Sequence, residues 1–402
     1  MHTKCKKIAM VALLLAFAVS FAACSAPTKY AHEPRARNVI FMVPDGMGLA
    51  DVTSARIFKY GPNGDRLSFE KLPVIGYEST HSANSTVTDS AAAASAWASG
   101  AKFNNGEISC HDDDFDGACD NAPGPTLLDL AKAGGKATGL VATSDITHAT
   151  PAAFGANVHN RKCEEEIARQ YLARRIDVLL GGGIAANRGS CKLATSGVNF
   201  LDSLLKDYAD AGYAMVKTKA ELNAAVNQGA EKLLGLFKSG GKTQELYRVD
   251  PSHVYQEGEP TLPEMTRSAL AVLEKSEKGF FLVVEGSQID WANHANDIQG
   301  QIAETLAFDA AVQVVLDWVN THPPRNLDTL VVVAPDHETG GYAINGPHGT
   351  LSRKGDIIQD KWTSTEHTAT DVLIWAQGPG SQNFGRAFNN TDLFSLIKQA
   401  MR

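Results

Sequence analysis

Residues 38–48 read NVIFMVPDGMG. Six residues in a row carry no charge and are mostly β-branched or bulky, which is the pattern of a strand buried on both faces rather than one with a wet side. The run ends at Asp45, directly before Gly46 in a turn sequence. An acid there reads two ways: as an Asx-turn residue, or as a ligand placed where a strand stops.

Other runs repeat the pattern along the chain. KATGLVATS (Lys136–Ser144), RIDVLLGGG (Arg175–Gly183), GFFLVVEG (Gly279–Gly286), LDTLVVVAPDH (Leu327–His337) and TATDVLIWAQG (Thr368–Gly378) are all short and apolar. Longer stretches with helical spacing lie between them, among them TLLDLAKAGG, CEEEIARQYLARR, LPEMTRSALAVLEKS and ETLAFDAAVQVVLDWV. The alternation predicts an α/β fold: a mainly parallel central sheet covered by helices on both faces. From about 190 to 259 the pattern loosens, and this stretch reads as an irregular excursion that returns to the sheet through the LPEMTRSALAVLEKS helix. The organisation expected is a leader at 1–23, a tether at 24–37 and a single α/β domain at 38–402.

Polar residues gather where the apolar runs end. Asp45, Glu285, and Asp336 with His337 each follow a strand, so the fold would bring acids and imidazole to the carboxyl edge of the sheet, where open α/β sheets bind ligands. EGSQIDWANHAND (Glu285–Asp297) sets Asp290 and His294 four residues apart, on one face if the segment is helical. A carboxylate and an imidazole so placed suit a zinc ion. His367 stands just before another buried strand. This supply of ligands fits two metal sites better than one.

TDSAAAASAWASG (Thr88–Gly100) raises a separate question. Ser90 before an alanine run reads as a helix cap, since its oxygen can accept first-turn N–H groups. The same helix end favours a phosphate dianion. A nucleophilic role needs an activator elsewhere, because a free serine hydroxyl is weak at neutral pH.

Composition limits the rest. With 37 Lys and Arg against 45 Asp and Glu the net charge is −8, which argues against a nucleic-acid backbone as the main partner. The first residues combine KCKK with the apolar IAMVALLLAFAVSFAA, the form of a secretory leader. FAAC at Phe21–Cys24 resembles a bacterial lipoprotein cleavage site, and Ser25 would then direct the protein to the outer membrane; ordinary cleavage and secretion is the alternative. In an oxidising compartment Cys110 would pair with Cys119 and Cys163 with Cys191, although three connectivities exist. HDDDFDGACD has Asp112, Asp114 and Asp116 before Gly117, part of a calcium-loop pattern, but lacks the closing glutamate and reads as a solvated loop.

Seven separated segments, PDGMG, TDSAAAA, HATPAAF, NRKC, EGSQIDWANHAND, PDHETGG and TEHTATDV, occur in the order in which they are found in the alkaline phosphatase family, which the chain resembles along nearly its whole length. The resemblance implies two zinc ions and one magnesium ion around a serine that is transiently phosphorylated. Carried over by motif, Asp290, His294 and His367 would hold one zinc. Asp336, His337 and Asp45 would hold the other, beside Ser90. Asp45 would bridge to magnesium, completed by Thr150 and Glu285, while Arg161 would fork onto two phosphoryl oxygens. His148 and Trp291 stand where the best-known bacterial members have an aspartate and a lysine, a combination similar to the aquatic and cold-adapted branch. The implied substrates are small phosphomonoesters of broad range, hydrolysed at alkaline pH by a periplasmic homodimer. A phosphodiesterase or sulfatase of the same superfamily is the alternative within hydrolases; an exported anion- or calcium-binding protein is the alternative outside them.

Overall fold

The computed structural model describes residues 35–113, 119–183, 200–248, 258–321, 325–358 and 360–401. The leader, Cys24, Cys191 and most of the acidic loop lie outside them. No helix among the described residues is long and apolar enough to cross a membrane.

Ten strands form one sheet. They are β1 Asn38–Pro44, β2 Val74–Ser79, β3 Ala137–Asp145, β4 Val178–Gly182, β5 Ala214–Val216, β6 Leu233–Leu236, β7 Phe280–Gly286, β8 Thr329–Val333, β9 Val372–Gln377 and β10 Ala387–Asn389. Their spatial order is β10-β2-β9-β8-β1-β7-β3-β4-β6-β5. From β8 to β5 every neighbour is parallel, whereas β9 runs antiparallel to both β8 and β2. The fold is therefore the α/β class expected, with an antiparallel flank.

The reading of β1 as buried on both faces holds at every residue. Val39, Phe41 and Val43 face one core, with Trp97, Leu127, Phe154 and Ile397 from helices on that side. Ile40 and Met42 face the other, with Val52, Met265, Phe308 and Val312. Each large side chain so buried contributes about 1.5–3 kcal/mol, and the two layers together hold β1 at the centre of the sheet.

One reading needs correction. The stretch from 190 to 259 is not simply an excursion: it supplies β5 and β6, which extend the sheet in parallel from β4. AMV and LLGL are too short to show a period, so their pairing is decided by the neighbouring strand edge. On the far side the sheet is completed by β2 and β10, which no apolar run marks. In β2, Ile75 and Tyr77 are exposed while Gly76 and Glu78 are buried, so apolar content alone does not reveal the strand. The Cys110–Cys119 disulfide is formed. Cys163 is also disulfide-bonded.

Candidate active site and metal centre

Adjacent parallel strands put three sequence-distant acids side by side. Val43 of β1 pairs with Glu285 of β7 and Met42 with Val333 of β8, so Asp45, Glu285 and Asp336 leave the sheet at one edge. All three are fully buried. Gly46 makes the turn compact. Its φ is +72°, and a Cβ there would lie 2.7–2.8 Å from atoms of Asp290. Its N–H donates to Asp336 Oδ1 (3.0 Å), and its carbonyl accepts from Asn293 Nδ2 (3.1 Å). Only glycine combines that φ with that approach.

The helix Gln288–His294 starts directly beyond β7 and does place Asp290 and His294 one turn apart. His294 Nε2 lies 3.4 Å and His367 Nε2 3.5 Å from Asp290 Oδ1, and the two ring nitrogens are 3.1 Å apart. Each imidazole is oriented from behind. His367 Nδ1 faces the Thr88 carbonyl at 2.9 Å, and His294 Nδ1 faces that of Thr365. With protons on those nitrogens, both Nε2 lone pairs turn inward, as in metal-binding histidines. Next to them, His337 Nε2 lies 3.1 Å from Asp336 Oδ2 and 3.8 Å from Asp45 Oδ1. The rings of His337 and His367 stack at 3.6 Å.

Three sets of donor atoms close enough to share an ion result: Asp290, His337 and His367; Asp45, Asp336 and His337; and Asp45, His148 and Glu285. The first differs from the set expected by motif in having His337 where His294 was expected, although His294 reaches the same carboxylate. In the third, His148 stands with Asp45 and Glu285. Thr150 Oγ1 is buried with no hydrogen-bond partner, as are both oxygens of Asp45, Oε1 of Glu285, Oδ2 of Asp336 and Nδ1 of His148. Burial, followed by the charges of Asp336, Asp290 and Glu285, holds the Asp45 carboxyl well above its usual range. Glu285 is pushed up to about 7, chiefly by burial. So many buried acids and unsatisfied oxygens are costly without cations, and nitrogen with carboxylate oxygen is a donor set that divalent metals accept. The residues fit the ions.

Ser90 sits against this cluster, its Oγ 3.3 Å from His337 Nε2. It is the first residue of the helix Ser90–Ser99, but the cap is Asp89, whose Oδ1 accepts from the Ala92 N–H at 2.9 Å. The reading of Ser90 as the cap is therefore overturned: its extended neighbour takes the first-turn N–H, which leaves the serine hydroxyl free to face the cluster. Asp89 Oδ2 also receives Arg161 Nη1 at 3.0 Å, and Arg161 Nη2 donates to His148 Nε2 at 3.1 Å. Burial and then the Arg161 charge hold His148 down to about 3, so the ring is neutral and can accept that bond. Trp291 meets His148 edge-on, ring centres 6.3 Å apart.

Some site residues were missed by sequence reading. Thr339 Oγ1 donates to Asp290 Oδ1 at 2.6 Å and lies 3.3 Å from His337 Nδ1, joining two ligand-bearing segments. Asn293 ties the Asp290 helix to the Gly46 turn and to Asp51 Oδ2. Their positions inside PDHETGG and DWANHAND were the available signal.

The family model for alkaline phosphatase matches residues 36–356. Alkaline phosphatase 3 of Bacillus subtilis is 30% identical, over 99% of this chain and 97% of its own. Alkaline phosphatase of Escherichia coli is 33% identical, over 91% and 86%. The structure of alkaline phosphatase from the Antarctic bacterium TAB5 superposes with a TM-score of 0.73 at 28% identity, covering 92% of this chain and 98% of that one. With the sheet, the clustered ligands and these likenesses in agreement, the chain belongs to the alkaline phosphatase family and is an enzyme of the phosphomonoester-hydrolysing type.

Proposed function

We propose that this enzyme hydrolyses a broad range of small phosphomonoesters at alkaline pH through a phosphorylated Ser90, with two zinc ions and one magnesium ion. The observation that carries the reading is the meeting of Ser90 Oγ with His337 at the edge of the carboxylate and imidazole cluster, at a helix N-terminus. Asp290, His294 and His367 would hold one zinc, Asp45, Asp336 and His337 the other, and Asp45, Thr150 and Glu285 the magnesium, with His148 beside it. When bound, such ions lower the pKa of a hydroxyl or water and offset charge on the entering and leaving oxygens.

The chain's own residues do the rest. Ser90 Oγ forms the new bond to phosphorus as the ester bond breaks and the alcohol departs; water then displaces the serine and releases phosphate. Asp89 fixes the helix start by taking the Ala92 N–H, and the first-turn N–H groups it leaves free would face the transferred dianion. Arg161 is held from behind by Asp89 and His148, so its guanidinium is oriented before phosphate arrives, as a bidentate contact requires. Trp291 offers no charge where a lysine would, and product phosphate should be released readily.

The proposal extends to a leader and tether ahead of one catalytic domain at 38–402, export to the periplasm with lipid on Cys24 or free release, and a homodimer. Acid quenching during turnover of p-nitrophenyl phosphate, followed by peptide mapping, tests the core of the reading. Phosphate on Ser90 supports it; phosphate on another residue refutes it.

A further inference from the structure

The segment FKSGGKT (Phe237–Thr243), just past β6, has no part in the chemistry above, yet its backbone is fixed onto the site. Gly183 N–H donates to the Gly240 carbonyl at 3.2 Å, and Lys242 N–H to that of Thr143 at 2.8 Å. Gln288 Nε2, from the helix that carries Asp290, donates to the carbonyls of both Lys242 (2.7 Å) and Thr143 (2.9 Å). The Lys242 side chain turns the other way, into the interior. Its Nζ lies 2.8 Å from Glu259 Oε1, the pair at most 1% exposed, and Arg248 Nη2 approaches the same oxygen at 3.3 Å.

In the middle of this segment Gly241 abuts Trp291. A Cβ at Gly241 would stand 2.4 Å from Cη2 and 2.6 Å from Cζ3 of the indole, while the nearest backbone atom, the Thr143 carbonyl oxygen, is 3.4 Å away. Gly240 has a φ of +75°, but Gly241 is outside the left-handed region. Alanine at 241 is therefore permitted by the backbone and meets only the ring. From that ring direct contacts continue to His148, from His148 to Arg161, and from Arg161 to Asp89 at the cap of the Ser90 helix.

We propose that Gly241 is a positioning residue for phosphate: the missing side chain lets the loop seat the Trp291 indole against His148, and so fixes the imidazole that holds Arg161, with the buried Lys242–Glu259 pair as the clamp on the loop. The inference rests on the reading of Arg161 as the phosphoryl-binding group. The part of the chain that supplies β5 and β6 thereby acquires a role in product affinity.

The test is a double-mutant cycle in the full chain loaded with zinc and magnesium. The dissociation constant of inorganic phosphate is measured by titration calorimetry for wild type, Gly241→Ala, Trp291→Ala and the double variant. Gly241→Ala is expected to shift the constant by roughly threefold to tenfold, because small misplacements of binding groups are costly. In the Trp291→Ala background the same change should be silent. An unchanged constant in Gly241→Ala, or an equal shift with and without Trp291, overturns the proposal. If Gly241→Ala does not fold, Lys242→Met/Glu259→Gln releases the clamp instead and must shift the constant only when Trp291 is present; a shift in both backgrounds, or in neither, overturns it as well. Arg161→Ala separates the two levels. A constant unchanged by Arg161→Ala removes the underlying reading, whereas a weakened one beside a silent Gly241→Ala removes this inference alone.

Discussion

Two buried clusters of charge among the described residues are balanced by different means. At the ends of β1, β7 and β8, Asp45, Glu285, Asp290 and Asp336 share a few imidazoles, and several of their oxygens have no hydrogen-bond partner. Beside β6, by contrast, Glu259 and Glu245 pair with Lys242 and Arg248, and Glu304 accepts the Glu245 N–H. Burial would raise the Glu259 carboxyl, but Lys242, with the Thr243 hydrogen bonds, more than offsets it and holds it below its usual range. Glu304, the acid in excess, is pushed up to about 8, chiefly by burial. Where the protein needs only cohesion, lysine, arginine and one proton complete the charge. Where it needs chemistry, the acids are left for ions to neutralise.

The sharpest way to break this contrast is at Ser90. Ser90→Ala should lower kcat for p-nitrophenyl phosphate by roughly three orders of magnitude or more, because the covalent route is gone. The melting temperature should stay near that of wild type, since Asp89 rather than Ser90 caps the helix. Substantial residual turnover would mean that the cluster serves another nucleophile.

Chelation comes next. Removing divalent ions should lower the melting temperature by about 5 °C or more, as each ion at a thousandfold excess over its dissociation constant contributes roughly 4 kcal/mol. Scanning calorimetry with and without chelator would show it. A melt indifferent to chelator would put the first cluster in the same class as the second.

The second cluster is tested by breaking one partner and then both. Glu259→Gln leaves Lys242 buried without its carboxylate and should cost about 3 kcal/mol, while Lys242→Met/Glu259→Gln should cost less than the single change. Urea unfolding at fixed metal concentration measures both. Equal or larger loss in the double variant would contradict a paired cluster.

The effect expected at Glu304 shows only as the pH rises. Its folded pKa stands above the usual 4.5, at about 8, so the proton's contribution to stability is complete below about pH 4.5 and is lost as pH rises through about 8. Glu304→Gln should therefore gain stability relative to wild type as the pH rises from about 4.5 to about 9.5, with little difference at about pH 4.5. An advantage independent of pH would show that Glu304 does not carry that proton.

Much of this arrangement was legible in the chain itself. Asp45, Glu285 and Asp336 could be placed at one sheet edge because long apolar runs precede each, and a run buried on both faces has few alternatives. The pairing of Asp290 with His294 followed from helical spacing. What could not be read depends on contacts across the fold. Asp89 and Ser90 are equally good caps in isolation, and only the position of His337 and Arg161 decides between them. β5 and β6 have too few residues to reveal a period. Gly241 looks like any loop glycine until Trp291 is brought against it from fifty residues away. His148 joining Asp45 and Glu285 depends on where the turn after β3 sets its ring, which no local pattern encodes.

The strand order has a consequence for how the enzyme is made. β1 lies between β7 and β8, so a strand formed near the start of the described chain finds both neighbours only after residues 280–333 have emerged. Ser90 and Asp45 exist early in synthesis, but Asp290, Asp336, His337 and His367 come in the last third. A partly made chain therefore holds the proposed nucleophile without the cluster that would activate it. Closing such long loops is slow, and the unpaired edges of β1 must wait in the meantime. Catalytic competence thus arrives late and at once, when the final strands dock, so a prematurely ended copy should be silent rather than partly active.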